Sequence, residues 1–183
     1  KGCEVKDSRW PRSEIVPYPL DDTESGMIGE AVAKAADADV IVAVMGEDTD
    51  CVGESHSRTS LDLPGRQRTL LMALKETGKP VVLVLVNGRP LTVNWEDENL
   101  PSILEMWFPN CEGGNILAET LFGENNPSGK ITVTFPKSIG QIEYNFPYKK
   151  GSHGGQRRSG DPNGTGISRV IGPLYPFGHG LSY

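Results

Sequence analysis

Two glutamates, a histidine and an arginine crowd into one stretch, Gly46 to Gly65, which contains Glu47, Glu54, His56 and Arg58. The stretch follows the apolar run Val40–Met45 and ends where a helical pattern begins near Arg66. About twenty residues make this connection, whereas a strand-to-helix loop usually takes about two to six. A carboxyl group held against a substrate and away from water has a raised pKa, which suits a general acid. Glu54, between Gly53 and Ser55 in a segment too polar for a core, is the first candidate for that work. Glu47 is the alternative: it lies nearer the strand end, where a carboxylate often bonds loop backbone or pairs with an arginine such as Arg58. No nucleophile elbow or triad accompanies His56, so a substrate contact or a supporting role fits it better than that of a base.

The elements that must position these residues alternate. Thr23 to about Ala36 carries apolar residues at helical spacing (Ile28, Val32, Ala35, Ala36). Val40–Met45 and Val81–Val86 are unbroken apolar runs, each expected to form a strand buried on both faces. A helix opening at Pro64-Gly65-Arg66-Gln67 buries Leu70, Leu71 and Leu74 and stops at Gly78 and Pro80. A third strand is expected from about Ser102 to Phe108, a third helix from Glu112-Gly113-Gly114 to Gly123, and a last strand from Lys130 to Phe135. Lys1–Val5 reads as an edge strand, Lys6–Thr23 as a polar loop and Gly151–Ser168 as a mobile loop. The pattern predicts an α/β fold whose mostly parallel sheet is covered by helices on both sides. In such sheets ligands bind beyond the carboxyl ends of the strands, the edge from which the Glu54 loop, Asn87-Gly88 and Pro109-Asn110-Cys111 leave.

Composition removes several classes of function. The 183 residues are 37% hydrophobic and 23% charged, with a formal net charge of -6, which gives a nucleic-acid partner no electrostatic support. No apolar run approaches the about 20 residues of a membrane span. Cys3, Cys51 and Cys111 lack zinc-ligand spacing; free thiols fit them best, with a Cys51–Cys111 bridge as the alternative. Gly113-Gly114 lacks the lysine of a phosphate loop, and close helix–strand packing explains it better. Asn163-Gly164-Thr165 has the form of a glycosylation sequon and reads as a turn. The chain opens at Lys1-Gly2-Cys3 without an initiating Met, and reads as a piece of a longer polypeptide with any targeting segment outside it.

Five motifs stand in a fixed order. They are Arg58-x-x-Leu61-x-Leu63-Pro64-Gly65-x-Gln67, Asn87-Gly88-Arg89-Pro90, Trp107-Phe108-Pro109-x-x-Glu112-Gly113-Gly114, Leu121-Phe122-Gly123-x-x-Asn126-Pro127-Ser128-Gly129-Lys130, and Tyr175–Tyr183. Together they resemble glycoside hydrolase family 3, the β-glucosidase and β-xylosidase family, and the likeness runs from Lys1 to Tyr183. The resemblance implies that residues 1–183 are the C-terminal domain of such an enzyme, a three-layer α/β sandwich with a mostly parallel sheet flanked by helices. It also implies a first strand upstream of Lys1, and a barrel domain in cis that supplies a nucleophilic aspartate. The family mechanism is retaining, with nucleophile and acid carboxyls about 5–5.5 Å apart. The matching loop supplies the acid/base, which falls on Glu54 with Glu47 as the alternative; His56 and Arg58 fall among the substrate contacts. Two positions depart from the family pattern. Ser57 precedes Arg58 where an aspartate is frequent, and Asn110 stands where glycine is common. The implied substrate is a β-glucoside or related oligosaccharide, with no cofactor and no metal. A periplasmic or secreted location accompanies the resemblance, and the oligomeric state stays open. The alternative function is a non-catalytic scaffold or sugar-binding domain.

Overall fold

Asp21 starts the first element. Its side chain accepts from Glu24 N at 2.7 Å while Glu24 Oε2 accepts from Asp21 N at 3.2 Å, a reciprocal capping box. From there α1 runs Asp22–Ala35, then β1 Ile41–Gly46, α2 Gln67–Lys75, β2 Val81–Val86, α3 Asn94–Asn99, β3 Ser102–Glu105 and α4 Gly113–Leu121. A 3₁₀ turn spans Ile139–Gln141. The structure is a computed structural model and describes residues 19–141 and 172–182. The expected edge strand 1–5, the mobile loop 151–168, Cys3, the sequon and Tyr183 lie outside the described residues.

Two units share the chain: Lys1–Arg89 with Trp95–Pro109, and Pro90–Asn94 with Asn110–Tyr183. The first holds a parallel sheet in the order β1-β2-β3, with Val44 opposite Val84 and Val84 opposite Leu104. Helix α2 packs on β1 and on α1. The α/β class expected from the alternating elements is thus present. In the central strand β2, Val81, Leu83, Val84 and Leu85 are all 1% exposed or less, as an apolar run with strands on either side requires. Strand β1 differs from expectation. Ala43 is buried, but Val42 and Val44 are 45% and 57% exposed. Among the described residues α2 packs on β1, and the face that carries Val42 and Val44 stays open.

Strand β3 stops three residues short of the expected end. Glu105 Oε1 accepts from the backbone N–H of Trp107 at 2.8 Å, and Trp107 takes φ 51°, a left-handed turn that ends the ladder. Helix α3 was not expected. Its six residues are too few to show a period, yet Glu96 is fully buried there and pairs with Arg68 of α2 at 2.8 Å.

In the second unit, Leu91, Val93, Phe135 and Thr120 are buried. The expected last strand, Lys130–Phe135, is not a strand of the sheet. Instead Phe135 forms an isolated antiparallel bridge with Tyr175: Phe135 N donates to Tyr175 O at 2.9 Å, and the two rings lie 5.7 Å apart. Ile131 N donates to His179 O at 2.9 Å, and Tyr175 stacks on His179 at 4.8 Å. The C-terminal aromatic segment thereby supplies the pairing. At Gly180 an added Cβ would stand 2.3 Å from Gly129 O, so only glycine admits this approach.

Candidate functional site

The long loop is tied at both ends. The side-chain amide of Gln67, the first residue of α2, accepts from Gly46 N at 2.7 Å and donates to Gly46 O at 2.8 Å. Gly46 holds φ 139°, and a Cβ there would lie 1.9 Å from Val86 O. The loop's exit is pinned by Leu63, which is fully buried, and by Gly65 at φ 62°. Arg66 then pairs with Glu24 of α1 at 3.2 Å. The motif Leu63-Pro64-Gly65-x-Gln67 is thus a docking device for a loop, built from one apolar anchor and one amide.

Just inside the entry, Glu47 N donates to Val86 O at 2.9 Å, and the Glu47 side chain is fully buried. Its Oε1 accepts from Arg58 Nη1 at 2.9 Å and lies 3.0 Å from Arg89 Nε; its Oε2 accepts from Gly88 N at 3.1 Å. Two guanidinium groups and a backbone N–H therefore compensate the charge. Each arginine has a second attachment: Arg58 Nη2 donates to Asp62 O at 2.6 Å, and Arg89 Nη2 to Cys51 O at 2.9 Å. The pairing of Glu47 with Arg58 is the arrangement named above for a carboxylate at a strand end. It also gives Arg58 a carboxylate partner although Ser57 precedes it.

Beyond this base the loop turns twice. Asp48 O accepts from Cys51 N at 3.1 Å, and Asp48 Oδ1 from Asp50 N at 3.0 Å. The Cys51 thiol faces the Asp48 carboxyl: burial first, then this hydrogen bond, pushes the thiol up, and the same bond lowers Asp48. Cys51 and Cys111 are both free thiols. Gly53 O then accepts from His56 N at 3.2 Å, closing a turn with Gly53 at φ 122° and Ser55 at φ 67°. Glu54 and His56 sit together on this exposed turn, while Arg58 lies partly buried at the base. The structure thus separates the two candidate carboxyls. Glu54 is presented outward, and Glu47 is enclosed by its partners.

A third carboxyl, unremarked in the sequence, lies at the same edge of the sheet. Glu105 accepts from Trp107 N at 2.8 Å and from Asn87 Nδ2 at 3.3 Å, yet burial outweighs both bonds and raises it from 4.5 to about 7. Asn87 is fully buried and also donates to Arg89 O at 2.9 Å. Its Oδ1 is unpaired among the described residues. The sequence signal for Glu105 was a single carboxyl inside the run 103–108. The signal for Arg89 was an arginine directly after an all-apolar strand and its turn. No group of three or more potential metal ligands occurs among the described residues, and no helix there is long and apolar enough to cross a membrane.

Residues 8–183 match the glycosyl hydrolase family 3 C-terminal domain. The chain belongs to glycoside hydrolase family 3. It is 48% identical over 158 residues to a periplasmic β-glucosidase of Salmonella typhimurium, covering 86% of this chain and 21% of that protein. It is 43% identical over 157 residues to a β-xylosidase of Formosa agariphila, covering 84% and 20%. Among solved structures, it superposes on a β-glucosidase from Listeria innocua in complex with glucose with a TM-score of 0.74 at 33% identity, covering 90% of this chain and 23% of that one. This family 3 chain therefore spans about a fifth of the length of the relatives it matches.

Proposed function

We propose that this domain supplies the general acid/base of a retaining β-glycosidase acting on terminal β-linked sugars, and that Glu54 is that residue. The observation that carries the proposal is the contrast between the two loop glutamates. Glu47 has its oxygens occupied by Arg58, Arg89 and Gly88 N. Glu54 is displayed on an exposed turn whose base those same residues secure. A proton donor to a leaving oxygen needs an accessible carboxyl at a fixed position, and of the two glutamates Glu54 has that access. His56, on the same turn, is proposed as a substrate contact. Arg58 is proposed to act near the sugar through the shape it gives the loop.

A retaining mechanism requires a second carboxylate, and the length of the family relatives supports its source: a nucleophile-bearing barrel joined to this domain in the same polypeptide. The substrate class, a β-glucoside or β-xyloside, follows the printed names of the relatives, and the periplasmic relative supports export from the cytoplasm. The test is the dependence of rate on the leaving group, in the polypeptide that joins this domain to its barrel. E54A should lower turnover of a poor leaving group by about 10²- to 10⁴-fold while the first step on a dinitrophenyl glycoside survives. Equal losses on both substrates would remove Glu54 from the role.

A further inference from the structure

Arg89 does not belong to the loop that carries Glu54. It follows β2, two residues after Asn87 and immediately before Pro90. The turn it sits on is fixed on both sides. Gly88 N donates to Glu47 Oε2 at 3.1 Å, and a Cβ on Gly88 would meet the Phe108 ring at 2.7 Å. From this rigid base the guanidinium reaches in two directions. Nε lies 3.0 Å from Glu47 Oε1, and Nη2 donates to Cys51 O at 2.9 Å. Cys51 is three residues before Glu54, on the entry limb of the loop. Arg58 does the corresponding thing on the exit limb, with Nη1 on the same Glu47 oxygen and Nη2 on Asp62 O. One buried carboxylate thus holds two guanidinium forks, and each fork latches one limb of the loop to the sheet. A planar guanidinium can point two donors in fixed directions at once, which a lysine ammonium cannot do with the same geometry.

We propose that Arg89 is a positioning residue for the acid/base turn: by bridging Glu47 and the Cys51 carbonyl it sets where residues 51–56 stand over the sheet edge. The proposal rests on the reading of Glu54 given above, and it makes Arg89 part of the active site's geometry without contact with substrate.

The variant R89K separates this role from simple charge compensation, because it keeps a positive charge beside Glu47 and loses the fork. The first measurement is amide hydrogen exchange on this chain, which does not depend on any activity. R89K should speed exchange of the amides in residues 48–56 by at least about tenfold, while β1 and β2 exchange at their wild-type rates. Unchanged exchange in 48–56 would overturn the latch. Faster exchange throughout the sheet would also overturn it, by making Arg89 a general stabilising residue. The second measurement is the leaving-group series in the polypeptide that includes the barrel, with E54A run alongside. A displaced acid should slow a poor leaving group by about 10- to 100-fold in R89K and leave the first step on a dinitrophenyl glycoside nearly unaffected. Equal slowing of both, with E54A still separating them, would overturn Arg89's role and leave Glu54's intact. If E54A fails to separate the substrates, the reading of Glu54 falls, and hydrogen exchange still reports on the latch itself.

Discussion

Glu105 is held in a less hydrated place than its two hydrogen bonds can compensate, and its carboxyl is raised from 4.5 to about 7. The native state therefore binds its proton more tightly than the unfolded chain does. Stability from this group is fully present below about pH 4.5 and is lost as pH rises through about 7, an effect of roughly 3 kcal/mol at most. Urea midpoints compared between wild type and E105Q should show it: wild type falls relative to E105Q between pH 4.5 and 7.5. A constant difference across that window would contradict the assignment. Glu47 is the opposite case, a buried carboxylate with two guanidinium partners. E47A leaves Arg58 and Arg89 without their shared charge partner and should destabilise the domain by about 3 kcal/mol. Because it unfastens the anchor shared by both latches, it should slow poor leaving groups more than good ones, as R89K does, with Glu54 still present as the proton donor.

At the scale of elements, the loop is suspended between the end of β1 and the start of α2, and Gly46 is where the suspension is tightest. G46A places a Cβ against Val86 O in a backbone conformation that disfavours side chains, and should cost about 3 kcal/mol or more. Gly29, inside α1 with nothing within 4 Å of its would-be Cβ, is the contrast. G29A should stabilise by about 0.5–1 kcal/mol, because alanine is the better helix former. Chemical denaturation of the two variants checks both signs. The same contrast explains what could be read in advance. Helices α1, α2 and α4 and strands β1 and β2 were legible because period and punctuation are local. The end of β3 was not, because Trp107 and Phe108 look like strand residues until the Glu105 side chain captures Trp107 N. Residues 130–135 pair with a segment about forty residues further on, a contact that weak alternation cannot reveal. Within the site, the length of the loop and the sheet edge it leaves from pointed to Glu54, His56 and Arg58, and the family resemblance gave them their expected roles. Gln67 and Arg89 stand in the ordered motifs, but the backbone groups of another element through which they act cannot be read from those motifs.

For the whole molecule, the chain spans about a fifth of the length of its family 3 relatives, and the proposed function gives it one carboxyl of a two-carboxyl reaction. The purified 183-residue chain should therefore show no turnover of a nitrophenyl β-glucoside above an E54Q control, and measurable turnover would contradict the division of labour. The most direct test of the central claim uses a polypeptide that joins this domain to the proposed barrel, with azide as an external nucleophile. In E54A the glycosyl-enzyme formed from a dinitrophenyl β-glycoside lacks the base that activates water, so it should accumulate and give a burst. Azide needs no base. It should restore turnover and yield a β-glycosyl azide with retained configuration, while E47A shows no rescue. Rescue of E47A and not E54A would contradict the account and move the acid/base to the buried end of the loop.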